Sequence, residues 1–308
     1  MEKRYFFGID GGGTYSRLAL TDGEGRVLAA SEAGSTNIYS VSRTEARENL
    51  SALLDSALKS AGIGKADLAA GCIGGAGIGR EREKALFREF FDSILWPDFP
   101  VTICGDGEIL LCGGLEDLEG YCLIAGTGSI ALGRSRDGRL ARAGGHGYLL
   151  GDEGGAAWIG KSAVSRSLRS LENRDLATDM HTAILKATGL AQIDDIIHYM
   201  HYTADKAKVA ALAPIVTAAA RKGDPLALDI LRIGAKELAL LVKSVIAQSP
   251  WINRKELVLA GGVMKNDEIV VEALKEILSG ELPDLAVSYP KGTALQGACM
   301  IAISMAKG

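Results

Sequence analysis

The sequence predicts an α/β fold built as two half-molecules, and three observations predict it. Short apolar runs alternate with amphipathic stretches, an order that requires mixed sheets covered by helices. One pattern (apolar strand, glycine turn, strand, hairpin, strand) occurs twice, over residues 4–33 and again over 121–143. Glycine accounts for 39 of 308 residues without any collagen-type repeat or low-complexity tract, so it serves particular turns where positive φ or a close approach is needed.

Taken in order, residues 4–10, 16–21 and 26–33 read as strands joined by the turn GIDGGGTYSR and by DGEG, a good hairpin signal. Residues 44–61 place Leu50, Leu53, Leu54 and Leu58 at helical spacing. A strand over 68–73, a charged helix over 81–94 and a strand over 101–104 follow, the last ending at Gly105-Asp106-Gly107. The second half opens with strands at 121–125, 130–135 and 140–143, separated by GTGS and RDGR. Residues 152–249 form a long helical region with Pro214 and Pro225 as breakers. Strand and helix then alternate twice, over 256–260, 267–277, 286–289 and 293–305. The length suits two domains, and the division is expected at Gly113-Gly114, giving 1–113 and 114–308 with the last helix able to return to the first lobe.

A net charge of -4 gives no electrostatic reason for a nucleic-acid or membrane partner. Cys72, Cys104, Cys112, Cys122 and Cys299 are odd in number and form no CxxC, which suits reduced, buried thiols. The start MEKRYFFGID lacks a signal-type apolar stretch and no run reaches membrane-spanning length, so a soluble cytoplasmic protein is expected.

Three glycine turns carry the chemistry. In GIDGGGTYSR, Gly11, Gly12 and Gly13 serve equally as a hairpin turn or as bare amides which, with the Thr14 hydroxyl, face phosphate oxygens. Asp10, at the strand end, can hold Mg²⁺ directly or through water. No GK[ST] follows, so this is not a Walker A loop. LIAGTGSIALG matches G-x-G-x-x-A, but a dinucleotide motif must open a helix and here a strand continues. GGAGIGR has Arg80 where a third glycine belongs. LVLAGGVMKND ends a strand and opens a helix capped by Asn266 or Asp267.

Together GIDGGGTYSR, the STN at 35–37, the Asp106 strand end, GTGS, GGHGYLLGDEGGAAWIG and AGGVMKN resemble the N-acetylglucosamine kinases and the related BadF/BadG-type ATPases. These belong to the sugar-kinase branch of the actin/hexokinase/Hsp70 superfamily. The resemblance extends over nearly the whole chain. It implies a two-lobed, duplicated ribonuclease-H-like fold with mixed five-stranded sheets, ATP in an inter-lobe cleft, Mg²⁺ as cofactor, closure on sugar binding and a homodimer.

The resemblance makes Asp106 the general base for attack of a sugar hydroxyl on the γ-phosphorus, where the residues alone leave a helix N-cap as the lesser alternative. It gives Asn37, otherwise a turn residue, contacts with sugar hydroxyls. Gly145, His146, Gly147 and Asp152 correspond to the other wall of the sugar pocket. Asp152 and Glu153 are alternatively N-terminal caps, and His146 is alternatively a solvated turn group. Gly126, Thr127 and Gly128 serve phosphate, Thr127 also sugar, and Gly261, Gly262, Met264 and Asn266 line adenosine. Tyr39 stands where many relatives carry tryptophan, and His146 where they often carry another aromatic, which leaves the acyl-group preference open. The implied activity is ATP-dependent phosphorylation of an amino sugar or hexose, N-acetylglucosamine at its 6-hydroxyl first, with glucosamine, N-acetylmuramic acid and glucose as alternatives. An iron–sulfur activator of a 2-hydroxyacyl-CoA dehydratase needs exposed paired cysteines, which the pattern does not offer. A sugar-sensing repressor needs a DNA-binding module before the first strand.

Overall fold

The computed structural model describes residues 5–306. Arg4, the first residue of the first expected strand, lies outside them. The chain begins with β1 (Tyr5–Gly11), β2 (Tyr15–Thr21) and β3 (Val27–Gly34), paired antiparallel in turn. The DGEG turn closes because Asp22 Oδ1 accepts the amides of Glu24 and Arg26, each at 3.0 Å, while Gly25 takes φ +83°. Next comes α1 (Arg43–Ala61), capped by Ser42, which accepts from the Glu45 amide, and ended by Gly62 at φ +66°. Its Leu50, Leu53, Leu54 and Leu58 form the buried face. β4 (Leu68–Gly75), α2 (Glu81–Ile94), β5 (Val101–Gly105) and α3 (Asp106–Leu115) complete this part. The sheet order is β3-β2-β1-β4-β5, with β1, β4 and β5 parallel. Beneath it Phe7 stacks on Phe91 and Phe99, both at 5.9 Å between ring centroids.

The second sheet starts with β6 (Gly120–Ala125), β7 (Ser129–Arg134) and β8 (Leu140–Gly144). The expected helical region resolves into α4 (Ala156–Leu171), α5 (Met180–Thr188), α6 (Asp195–His198), a π-helical turn Tyr199–Thr203, α7 (Lys206–Ala210), α8 (Ala213–Ala220) and α9 (Pro225–Gln248). Pro214 and Pro225 mark breaks in the helical region: each sits in the first turn of a new helix, where its missing N–H and fixed φ are no handicap. β9 (Glu256–Ala260), α10 (Gly262–Asn266), α11 (Glu268–Glu281), β10 (Ala286–Ser288) and α12 (Ala294–Ser304) finish the chain. The sheet order is β10-β9-β6-β7-β8, so from its other edge it repeats the order of the first. The fold is α/β with two mixed five-stranded sheets among the described residues.

Two compact units result. The first runs to Gly120 and takes in Arg134–Arg139 and the chain from Tyr289 onward; the second comprises Tyr121–Gly133 and Leu140–Ser288. The expected division at Gly113-Gly114 falls inside α3. Gly113 is there because α12 lies against it: a Cβ would come 1.9 Å from the Thr293 carbonyl oxygen.

Candidate functional site

In the first unit the residues of interest gather at the C-terminal ends of the parallel strands, where α/β sheets place their ligands. Gly12 N–H donates to the Tyr15 carbonyl at 3.1 Å and closes the GIDGGGT turn. None of the three glycines there needs a positive φ. Gly11 is required by proximity, since a Cβ would lie 2.6 Å from Thr36 Oγ1, and Gly12 because a Cβ would lie 2.4 Å from the Tyr15 carbonyl oxygen. Gly13 is different: it is exposed, and its nearest neighbour would be Ser40 Oγ at 3.5 Å. Its backbone is left uncovered by packing within this unit, and the Thr14 side chain beside it is exposed.

Asp10 faces Arg17 across the β1–β2 ladder and its Oδ2 accepts from Arg17 Nη2 at 2.8 Å. That bond, more than any other contact, raises the guanidinium's pKa. Oδ1 remains for another partner, and a carboxylate oxygen at a strand end is the hard donor Mg²⁺ takes, so the residue fits the expected ion. Sequence reasoning missed Arg17, although the cross-strand spacing of a short hairpin signals the pairing.

Asn37 is half-buried and satisfies its turn reading: Oδ1 accepts the Tyr39 amide at 2.9 Å. The same side chain overhangs Gly77, where a Cβ would lie 2.7 Å from Oδ1, and its Nδ2 lies 3.8 Å from the Cβ position of Gly13. Nδ2 makes no hydrogen bond among the described residues and stays free to donate. Tyr39 is 70 % exposed and turns its hydroxyl away to donate to the buried Glu83 at 2.6 Å.

Asp106 is the first helical residue of α3 and not its cap; Gly105 takes that position, with the Glu108 carboxylate accepting the Gly105 amide at 3.3 Å. The Asp106 side chain is open to solvent, yet protein lies densely around it. That desolvation holds its carboxyl above the ordinary aspartate value; the Gly107 amide, donating to Oδ1 at 2.9 Å, pulls it down, and the Asp10 charge pushes it up again. Asp10 and Asp106 are therefore electrostatic neighbours.

In the second unit the GTGS turn is docked on the start of α4. The amides of Ala156 and Ala157 donate to the carbonyls of Gly126 and Thr127 at 2.8 and 3.0 Å. Ser129 Oγ donates to the Glu153 carbonyl at 2.7 Å. The Thr127 side chain is exposed. The AGG turn lies against the same place: Gly261 adopts φ +98°, and a Cβ there would meet the Ala125 carbonyl oxygen at 2.4 Å. The two turns thus meet at the ends of the adjacent parallel strands β6 and β9. Gly262 is open, and Asn266 Nδ2 donates back to its carbonyl at 2.9 Å. Met264 follows in α10. It is 2 % exposed and its side chain packs within the apolar core. The cap of α11 is Asp267, not Asn266; it accepts the Val270 amide at 3.1 Å.

Gly144, Gly145 and Gly147 all take positive φ, and the Gly145 amide donates to the Ser129 carbonyl at 2.9 Å, which brings this loop to the GTGS strand. His146 is exposed on it. Neither Asp152 nor Glu153 caps α4; Gly155 does. Asp152 is buried and paired with Lys206, 54 residues away, a partner that no local signal announces. Glu153 is half-buried with no side-chain hydrogen bond among the described residues.

All five cysteines are buried, so none presents a thiolate at the surface for a shared cluster. No helix among the described residues is long and apolar enough to cross a membrane.

A family model described as the BadF/BadG/BcrA/BcrD ATPase family matches residues 7–302. The chain belongs to that family. Within the range of proteins similar to this BadF/BadG-family ATPase is an N-acetylmuramic acid/N-acetylglucosamine kinase from Clostridium acetobutylicum, 33% identical over 98% of this chain and 99% of its own. An N-acetyl-D-glucosamine kinase from Dictyostelium discoideum is 27% identical over the full length of both. A solved Chromobacterium violaceum protein, itself assigned as an N-acetylglucosamine kinase, superposes with a TM-score of 0.70 at 27% identity, covering 98% of this chain and 99% of its own. The duplicated sheet order is accordingly that of the sugar-kinase and actin-like ATPase fold.

Proposed function

We propose that this chain transfers the γ-phosphoryl group of ATP to a hydroxyl of an amino sugar or hexose, N-acetylglucosamine at its 6-hydroxyl foremost, with Asp106 as general base. The observation that carries this reading is Asp106 itself: an accessible carboxylate at the end of β5 whose pKa is raised by desolvation and by Asp10. A carboxylate with a raised pKa is the better proton acceptor, and such a base contributes about 10²–10⁴-fold to rate. The kinase names of full-length relatives support the reaction class.

Under this reading Asp106 accepts the hydroxyl proton while the Gly107 amide, bonded to Oδ1, fixes the carboxylate's orientation. The free Nδ2 of Asn37 donates to a sugar hydroxyl, and Thr127, Gly145, His146, Gly147 and Asp152 supply further sugar contacts. Amides of Gly11–Gly13 and Gly126–Gly128, with the Thr14 hydroxyl, bind phosphate oxygens. Gly261, Gly262 and Asn266 line adenosine by backbone and amide. Asp10 would hold Mg²⁺, directly or through water, and the ion would offset the charge of the phosphates. A cytoplasmic location suits ATP as donor and five reduced thiols.

The test is Mg·ATP with a panel of N-acetylglucosamine, N-acetylmuramic acid, glucosamine, mannosamine and glucose, read by coupled ADP release. Asp106→Asn is expected to lower kcat at least about 100-fold with sugar affinity within about threefold. Near-normal turnover by Asp106→Asn removes the base, and no turnover of any sugar by the native chain removes the kinase reading.

A further inference from the structure

Behind the GTGS turn stands a buried carboxylate with an ammonium partner. Asp152 is 3 % exposed, takes φ +64°, and its Oδ2 accepts from Lys206 Nζ at 2.9 Å. A Cβ on Gly128 would lie 2.2 Å from that same oxygen, so the ion pair presses directly on the turn. Oδ1 makes no hydrogen bond among the described residues, and the side chain as a whole is 4 % exposed. Lys206 opens α7, where the Asp205 carboxylate caps the helix by accepting the Lys208 amide at 2.7 Å, and this fixes the backbone that aims the ammonium. Nothing in the proposed reaction has yet used Lys206.

We infer that Lys206 is a specificity-determining residue: by neutralising Asp152 it turns this wall against cationic amino sugars and toward neutral, N-acylated ones. The inference rests on the sugar-kinase reading, which sets the carbohydrate against Asp152. Lys206 is the countercharge of this buried carboxylate, and a buried charge that loses its partner is costly. Without Lys206, the 2-ammonium of a free amino sugar would be the available one; with Lys206 present, that ammonium finds the charge already matched and meets a like charge nearby. N-acylation removes the positive charge, so an N-acetylated sugar meets no repulsion and can still donate a hydroxyl or amide hydrogen to Oδ1. Specificity here comes from an element that repels the wrong ligand. Glu153, the next carboxylate along, is unchanged in every variant below and so cancels from any ratio of affinities.

The experiment is calorimetric binding of N-acetylglucosamine and of glucosamine to the full chain without nucleotide, with thermal melts as a check on folding. Lys206→Met is expected to shift the affinity ratio toward glucosamine by at least about tenfold, the scale of one partly buried charge interaction. Lys206→Arg keeps the charge and should hold the ratio within about threefold. Asp152→Asn leaves an unmatched ammonium and should shift the ratio the opposite way, toward N-acetylglucosamine. A folding defect weakens both sugars together and cannot produce shifts of opposite sign. A ratio unmoved in both Lys206→Met and Asp152→Asn, or a native chain that favours glucosamine, overturns the inference while leaving the kinase reading intact. Failure of the native chain to bind either sugar overturns both.

Discussion

Gly13 and Gly128 occupy the two phosphate-type turns for opposite reasons. Gly128 is glycine because of its neighbours: an added Cβ would strike Asp152 Oδ2 at 2.2 Å and its Cγ at 2.6 Å. Gly13 has neither a positive φ nor a close neighbour, with Ser40 Oγ at 3.5 Å. Gly128→Ala should therefore cost about 1–3 kcal/mol, as overpacking does, read as a lower urea midpoint. Gly13→Ala should leave that midpoint within about 0.5 kcal/mol, as for an unconstrained surface site. Calorimetry should nevertheless show ATP bound at least about tenfold more weakly to Gly13→Ala, because the methyl group stands where phosphate oxygens would approach the amides. Unaltered ATP affinity would take Gly13 out of the nucleotide site. At this scale the sequence was legible where chemistry is local, as in the Asp10 and Asp106 strand ends. It was silent on Lys206, because an ion pair spanning 54 residues is a product of packing alone.

Among the elements, α3 and α12 show how a glycine can be misread. A glycine pair usually signals a break, so Gly113-Gly114 looked like the end of a domain. A helical glycine costs about 1 kcal/mol relative to alanine, and here packing gives the reason for it. A Cβ on Gly113 would lie 1.9 Å from the Thr293 carbonyl oxygen, and one on Gly297 the same distance from the Ile109 carbonyl oxygen. These are backbone atoms, which cannot rotate aside. Gly113→Ala should destabilise the protein by about 3 kcal/mol or more, the upper range for an overpacked core, measured as a fall in ΔG from urea unfolding at unchanged m. A loss under about 0.5 kcal/mol would mean that the helices separate easily. The strands, by contrast, were readable within a residue or two, since alternation and the turns fix them locally. The helices between 152 and 249 were not, because their ends are set by which apolar residues meet the core.

At the scale of the whole molecule, the repeat seen in the sequence reappears as two sheets of the same strand order. The repeat was legible because each copy begins with the same hairpin-and-glycine signature. The extent of the compact units was less so: the last helix lies in the first unit, as the sequence allowed, but so does Arg134–Arg139, which no local signal assigns there. Within that unit α12 closes on β1, where a Cβ on Gly8 would lie 2.5 Å from the Cys299 amide nitrogen. The cysteines report on this closure. Cys72 and Cys104 face each other at 3.9 Å between adjacent strands, and all five thiols are buried. Burial pushes Cys112 up to about 12 and Cys299 up to about 11. Only the thiolate reacts with a disulfide reagent, so each factor of ten in acidity suppresses labelling alongside the loss of access. The native chain at pH 8 should therefore release less than one equivalent of chromophore from a chromogenic disulfide over several minutes, and five after unfolding in guanidinium. Any thiol that reacts at once lies at the surface. A prompt reaction of two or more would return a metal-cluster role to consideration, whereas slow labelling at one common rate would mark the opening of the core itself.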